Sequence, residues 1–98
     1  MNSDIRTTHY YRQKKYKEAY AEAVQYDIPG FFWGPLLRGA CLGQLQRLEE
    51  ATQQISQLLE MKPDFKEKAR MLIHRYVKED SLVDHLIEGL KKAGLEVD

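Results

Sequence analysis

Apolar residues in this 98-residue chain recur every three or four positions, which is the spacing of one face of an α-helix. The clearest stripe consists of Leu48, Ala51, Ile55 and Leu58, and glutamate and glutamine side chains fill the positions between them. No segment alternates apolar and polar residues, and no Asn-Gly or Asp-Gly pair indicates a hairpin. The sequence therefore predicts an all-α fold.

The spacing predicts four helices, over residues 4–14, 16–25, 32–45 and 48–61, followed by a helix pair in residues 64–98. The first helix is expected to show Ile5, His9 and Tyr10 on one side. The last two helices are expected to bury two stripes, Phe65, Ala69, Leu72, Ile73 and Tyr76 in one and Leu82, Leu86, Ile87 and Leu90 in the other.

Several residues are typical of helix ends. Pro29 and Pro63 follow the second and fourth helices, where a missing N–H stops further helix growth. Asp64 and Ser81 each precede an acidic residue by three positions, which predicts two capping boxes. Gly94 is expected to adopt the left-handed capping conformation, with Leu95 packing back onto Leu90.

The composition is that of an ordinary globular domain. Lys plus Arg and Asp plus Glu both number 15, so the net charge favours neither nucleic acid nor an anionic membrane surface. Cys41 is the only cysteine, which excludes an internal disulfide, and the first residues lack a signal-peptide pattern. We expect a cytoplasmic protein without a membrane-spanning segment.

Small residues and a proline follow a fixed interval in the middle of the chain. Gly39, Ala51 and Pro63 are twelve positions apart, and the segment 42–51 (LGQLQRLEEA) joins two predicted helices. This pattern resembles the tetratricopeptide repeat, a 34-residue antiparallel helix pair. The segment ending at Ala19 (YKEA) parallels the one ending at Ala51 (LEEA), 32 positions later. Slim side chains at Gly39 and Ala51 are expected to bring two antiparallel helices together.

The resemblance implies a short stack of helix pairs. Residues 1–29 correspond to a partial repeat, 30–63 to a full repeat and 64–98 to a capping pair. The last segment also resembles the closing part of many bacterial tetratricopeptide proteins. It therefore leaves open a second interpretation, a C-terminal regulatory segment of a cyclase-like signalling protein or of a transcriptional regulator.

The function implied by the resemblance is capture of a protein or peptide partner, without catalysis and without a cofactor. Members of this family line a concave groove with the first helix of each repeat. The corresponding residues here are Trp33, Leu36, Ala40, Gly43 and Gln44, an apolar set that suits a helix or an extended segment. The alternative is that the chain's own final helix pair fills this groove, which would make Trp33 a core residue.

Other chemistry has weaker support in the sequence. His9, His74 and His85 match no metal-ligand spacing, and Cys41 lies among apolar residues rather than beside a base. Residues 10–16 mix tyrosines with basic residues, but the tyrosines fall at helical spacing, so packing is favoured over stacking with nucleic acid. Five aromatic residues are candidates for a homodimer contact: Tyr10, Tyr11, Tyr20, Phe31 and Phe32.

Overall fold

A computed structural model gives the fold, and it describes residues 3–25 and 30–96, with side chains from Ile5 onward. The described residues form six helices: α1 (Ser3–Arg12), α2 (Tyr16–Gln25), α3 (Trp33–Gln44), α4 (Leu48–Met61), α5 (Phe65–His74) and α6 (Asp80–Lys92). No strand occurs in these residues, so the all-α prediction is confirmed. The predicted stop signal Pro29, and with it the boundary of the partial repeat, lies outside the described residues.

The first four helices form two hairpins with the same turn. Lys14 after α1 and Gln46 after α3 both have left-handed backbone, with φ of 61° and 59°. In each turn an equivalent backbone bond closes the helix end: Lys15 N–H donates to Tyr10 O at 2.9 Å, and Arg47 N–H donates to Leu42 O at 3.0 Å. The described part of the chain therefore repeats one helix–turn–helix geometry at the interval seen in the sequence.

The two predicted capping boxes are wrong, whereas the predicted C-terminal cap is confirmed. Asp64 makes no side-chain cap and instead pairs with Lys68 at 3.0 Å. The last helix begins before Ser81, with Glu79 at its N-cap. Gly94 has a φ of 104°, and Leu95 N–H donates to Leu90 O at 3.0 Å, as the Schellman motif requires.

The centre of the fold is the packing of α6 against α3. A Cβ atom added to Gly43 would overlap the carbonyl oxygen of Gly89 and lie 2.8 Å from the backbone nitrogen of Ala93. A Cβ atom added to Gly89 would lie 2.7 Å from the carbonyl oxygen of Ala40. Backbone therefore contacts backbone here, and only glycine permits this approach. Because α6 folds back onto α3, the principal extents are nearly equal, at 29, 29 and 24 Å.

Gly39 also faces neighbouring helices, although its contacts differ from those expected. A Cβ atom there would lie 3.2 Å from Ile55 Cδ1 and 3.6 Å from Gln54 Cβ, both on α4. It would also lie 3.7 Å from Leu90 Cδ2 on α6. Gly39 thus leaves room for both α4 and α6. Its contacts on α4 lie beyond Ala51 in the sequence, and Ala51 is itself buried.

Two of the expected core faces are wrong at one position each: Leu48 at the start of α4 and Tyr76 after α5 are exposed. The rest of the predicted stripes in α4, α5 and α6 is buried. In α1, Ile5 and His9 are exposed and Tyr10 is half-buried, whereas Tyr11 is buried completely.

Replacing Gly43 with alanine should destabilise the protein by about 2–3 kcal/mol, because the new methyl group overpacks a backbone–backbone contact. Gly39→Ala is the matched control on the same helix. Its methyl group meets the end of the Ile55 side chain, and alanine has a higher helix propensity than glycine. The free energy of unfolding should therefore change by no more than about 1 kcal/mol. Urea unfolding followed by circular dichroism measures the stability of both variants. Equal losses of stability would contradict the backbone contact between α3 and α6.

Gln46→Gly should raise the free energy of unfolding by about 0.5–1 kcal/mol, because glycine adopts the left-handed backbone without the steric cost that glutamine carries. The control is Gln53→Gly in the exposed middle of α4, which should lower it by about 1 kcal/mol. The same urea titration applies, and a loss of stability in Gln46→Gly would exclude this turn geometry.

Candidate binding groove

Four of the five residues predicted to line a partner-binding groove lie in the core. Trp33, Leu36, Ala40 and Gly43 are buried, and the side of α3 that carries Ala40 and Gly43 packs against α6. Only Gln44 is partly exposed. The concave side of α3 is thus occupied by the chain's own last helix, the alternative that the sequence left open.

An open groove remains where α1 faces α6 and the segment before it. We call it the α1–α6 groove. Its apolar end has a volume of about 210 Å³ and is lined by Ile5, Thr8, Arg12, Trp33, Tyr76, Val77, Lys78 and Leu82. Ile5 and Tyr76 are 50% and 49% exposed, although both are large apolar side chains. This end therefore presents apolar surface to the solvent.

The polar end of the groove has a volume of about 490 Å³. Its walls are Arg12, Lys14, Tyr16, Gln44, Ser81, His85, Glu88 and Lys92. A middle depression lined by Arg12, Glu79, Ser81, Leu82 and His85 shares residues with both ends. The three depressions thus adjoin one another along the seam between α1 and α6, with Ile5 and Tyr76 at one end and the cations Lys14 and Lys92 at the other.

A chain of hydrogen bonds joins α1, α3 and α6 beneath the polar end. The Tyr11 hydroxyl donates to the carbonyl oxygen of His85 at 2.6 Å and accepts from Gln44 Nε2 at 3.1 Å. Lys92 Nζ donates to Gln44 Oε1 at 2.9 Å. Burial raises the pKa of the Tyr11 hydroxyl far above its usual value, so Tyr11 stays a neutral donor.

His85 is held between two tyrosines. Its ring lies 4.2 Å from the Tyr11 ring and 5.9 Å from the Tyr16 ring, centroid to centroid. Its Nε2 atom is hydrogen-bonded to the Tyr16 hydroxyl at 2.9 Å. Burial lowers the pKa of His85 below its ordinary value of 6.5; Glu88 opposes this shift, and Lys14 and Lys92 add to it.

The other two histidines lie in separate places. His9 is exposed and contacts Gln13, whereas His74 contacts the Val77 carbonyl oxygen at 3.1 Å and Asp80 at 3.0 Å. No group of three or more potential metal ligands occurs in residues 3–25 and 30–96. Cys41 is buried, and burial raises the pKa of its thiol to about 12.

The aromatic residues considered for a dimer contact do not share one surface. Tyr11 and Phe32 are buried, so they cannot contact a second copy of the folded chain. Tyr10, Tyr20 and Phe31 are half-buried and pack against the core. Within residues 10–16, Tyr11 and Tyr16 pack edge to face at 5.2 Å instead of presenting a flat platform to a nucleic-acid base.

The groove that the structure presents was not identified from the sequence. The helical spacing predicts burial for Tyr76, which is exposed, and it gives Ile5 and His85 no part in partner binding. Comparisons of the chain with protein-family models, curated proteins and solved structures find no match. Among the described helices none has the length and apolar character to cross a membrane.

The His85 environment predicts a pH effect on folding. Because its pKa is lower in the folded than in the unfolded chain, the unfolded chain binds more protons as pH falls below about 6.5, and stability decreases there. His85→Gln should therefore lose less stability than the wild type between pH 7 and pH 5. Exposed His9→Gln is the control and should keep the wild-type dependence. Urea unfolding at both pH values measures this, and identical losses in all three proteins would contradict it.

Proposed function

We propose that this protein is an interaction module that captures an extended segment of a partner protein in the α1–α6 groove, without bond-making chemistry. The observation that carries the proposal is that two large, half-exposed apolar side chains, Ile5 and Tyr76, line the same depression. Large apolar side chains held half-exposed on a rigid frame are typical of binding surfaces.

The apolar end is rigid because its aromatic side chains support each other. The Tyr76 ring lies 5.0 Å from the Trp33 ring and 5.4 Å from the Phe31 ring, centroid to centroid. Trp33 is itself buried, so it fixes the position of Tyr76 rather than contacting a partner directly. Preorganised aromatic anchors lower the entropy cost of binding.

The size of the groove favours an extended segment over a helix. The apolar and middle depressions have volumes of about 210 and 290 Å³, which suit single side chains. A helix would instead need the concave side of α3, and α6 occupies that side. The partner segment is therefore expected to place one apolar side chain between Ile5 and Tyr76.

The absence of catalysis is part of the proposal, and two features support it. The thiol of Cys41 is buried with a raised pKa, so it stays protonated near neutral pH. The hydroxyls of Tyr11 and Tyr16 and the ring of His85 bond one another or the backbone, which suits a structural role.

A random peptide library displayed on phage tests the proposal. Peptides selected on the wild-type chain should lose at least tenfold in affinity for Ile5→Glu, or about 1.4 kcal/mol, because a carboxylate would occupy the apolar end. Val24→Glu is the matched control, since Val24 on α2 is equally exposed at 50% and is not part of the groove lining. Fluorescence anisotropy with labelled peptides gives the affinities.

Two outcomes would overturn the proposal. In the first, selection yields no peptide that binds the folded chain, or Ile5→Glu and Val24→Glu bind the selected peptides equally well. In the second, analytical ultracentrifugation shows a dimer that Ile5→Glu dissociates, which would identify a second copy of the chain as the occupant of the groove.

A further inference from the structure

We propose that the polar end of the α1–α6 groove binds a phosphate monoester, carried by the segment that occupies the groove. The segment itself rests on the proposed function above, whereas the phosphate site rests on its own residues. Arg12, Lys14 and Lys92 line this end against one carboxylate, that of Glu88. Glu79 pairs with Arg12 from the adjoining depression, so three cations face two carboxylates, and the remaining excess of positive charge favours an anionic group.

Lys14 is the cation most available to a ligand. It makes no ion pair with any residue that the structure describes. Its left-handed backbone, with φ of 61°, is fixed by hydrogen bonds at both ends of the α1–α2 turn. The turn therefore holds Lys14 at the rim of the groove, where no described carboxylate competes with a ligand for its ammonium group.

Arg12 and Lys92 are paired, but their pairs are weak. Arg12 contacts Glu79 at 2.8 Å, and Lys92 contacts Glu88 at 3.2 Å and donates to Gln44 Oε1 at 2.9 Å; all four charged side chains are about half exposed. Ion pairs at such exposure contribute little to stability. Both cations can therefore turn toward a ligand at small cost, and a bound dianion would compensate for the lost pairs.

Neutral donors complete the site on both walls. The Tyr16 hydroxyl belongs to the α1–α2 side, and the Ser81 hydroxyl belongs to α6. When His85 carries its proton on Nε2, it donates to the Tyr16 oxygen, and the Tyr16 proton is then free for a ligand. A phosphate presents three oxygens in a tetrahedral arrangement and can accept from both walls at once, whereas a planar carboxylate has only two oxygens in one plane.

The experiment uses the intact chain, labelled with ¹⁵N and titrated with sodium phosphate at pH 7.5 and constant ionic strength. The amides of Lys14, Ser81 and His85 should shift and saturate with a dissociation constant in the millimolar range. Lys14→Gly should weaken binding at least fivefold. This variant removes the charge while it relieves the left-handed backbone, so unfolding cannot explain the loss.

Gln46→Gly is the matched control, because it makes the same backbone change in the equivalent turn without removing a charge. It should bind phosphate as the wild type does. Shifts that do not saturate, that acetate or chloride reproduces at the same ionic strength, or that persist in Lys14→Gly would overturn the site.

Peptides distinguish the source of the phosphate. A short peptide with leucine and phosphoserine should bind more tightly than inorganic phosphate and more tightly than the same peptide with serine. In Lys14→Gly the phosphoserine peptide should bind no more tightly than the serine peptide. In Ile5→Glu it should bind no more tightly than inorganic phosphate. Phosphate binding without any peptide advantage would overturn the partner segment and assign the site to a small phosphorylated molecule. A peptide advantage that does not depend on phosphate would overturn the site alone.

Discussion

The contact between Gly43 and Gly89 is the constraint on which the rest of the structure depends. A side chain at either position would overlap the backbone of the other helix, so α6 can lie against α3 only because both residues are glycines. This approach buries Leu86 and Leu90 in the core that α3 and α4 begin. A chain of this size has few other ways to bury enough apolar surface, so its last helix is part of the core.

The same contact determines where a partner can bind. Because α6 packs against the side of α3 that carries Ala40 and Gly43, residues that the resemblance assigned to a groove stabilise the fold instead. One surface that stays open is the seam between α1 and α6, where Tyr11 bonds the backbone of His85 and links the two helices. Ile5 and Tyr76 lie at one end of this seam, and Lys14 lies at the other end. Both proposals place the ligand on this seam and not on α3.

Local patterns in the sequence were sufficient for the helices but not for their arrangement. The stripe of Ile55 and Leu58, and the cap formed by Gly94, depend on neighbours a few positions away, so they could be predicted. The approach of Gly43 to Gly89 joins residues far apart in the chain, and no periodicity encodes it. Burial of Tyr76 is wrong because helical spacing identifies apolar residues but not which of them the rest of the fold covers. The capping box at Asp64 is absent because the carboxylate pairs with Lys68, and the one at Ser81 is absent because α6 begins one residue earlier.

Nuclear Overhauser effects across the α3–α6 contact test the central claim most directly: from Gly89 Hα to Ala40 Hα, and from Gly43 Hα to the amide and methyl protons of Ala93. If the two backbones touch, strong cross-peaks connect these protons, and weaker ones connect the Tyr11 ring to Gly89. If α6 packs elsewhere, or only loosely, these cross-peaks are missing while those within each helix remain. That second result would contradict both the arrangement of the core and the groove that depends on it.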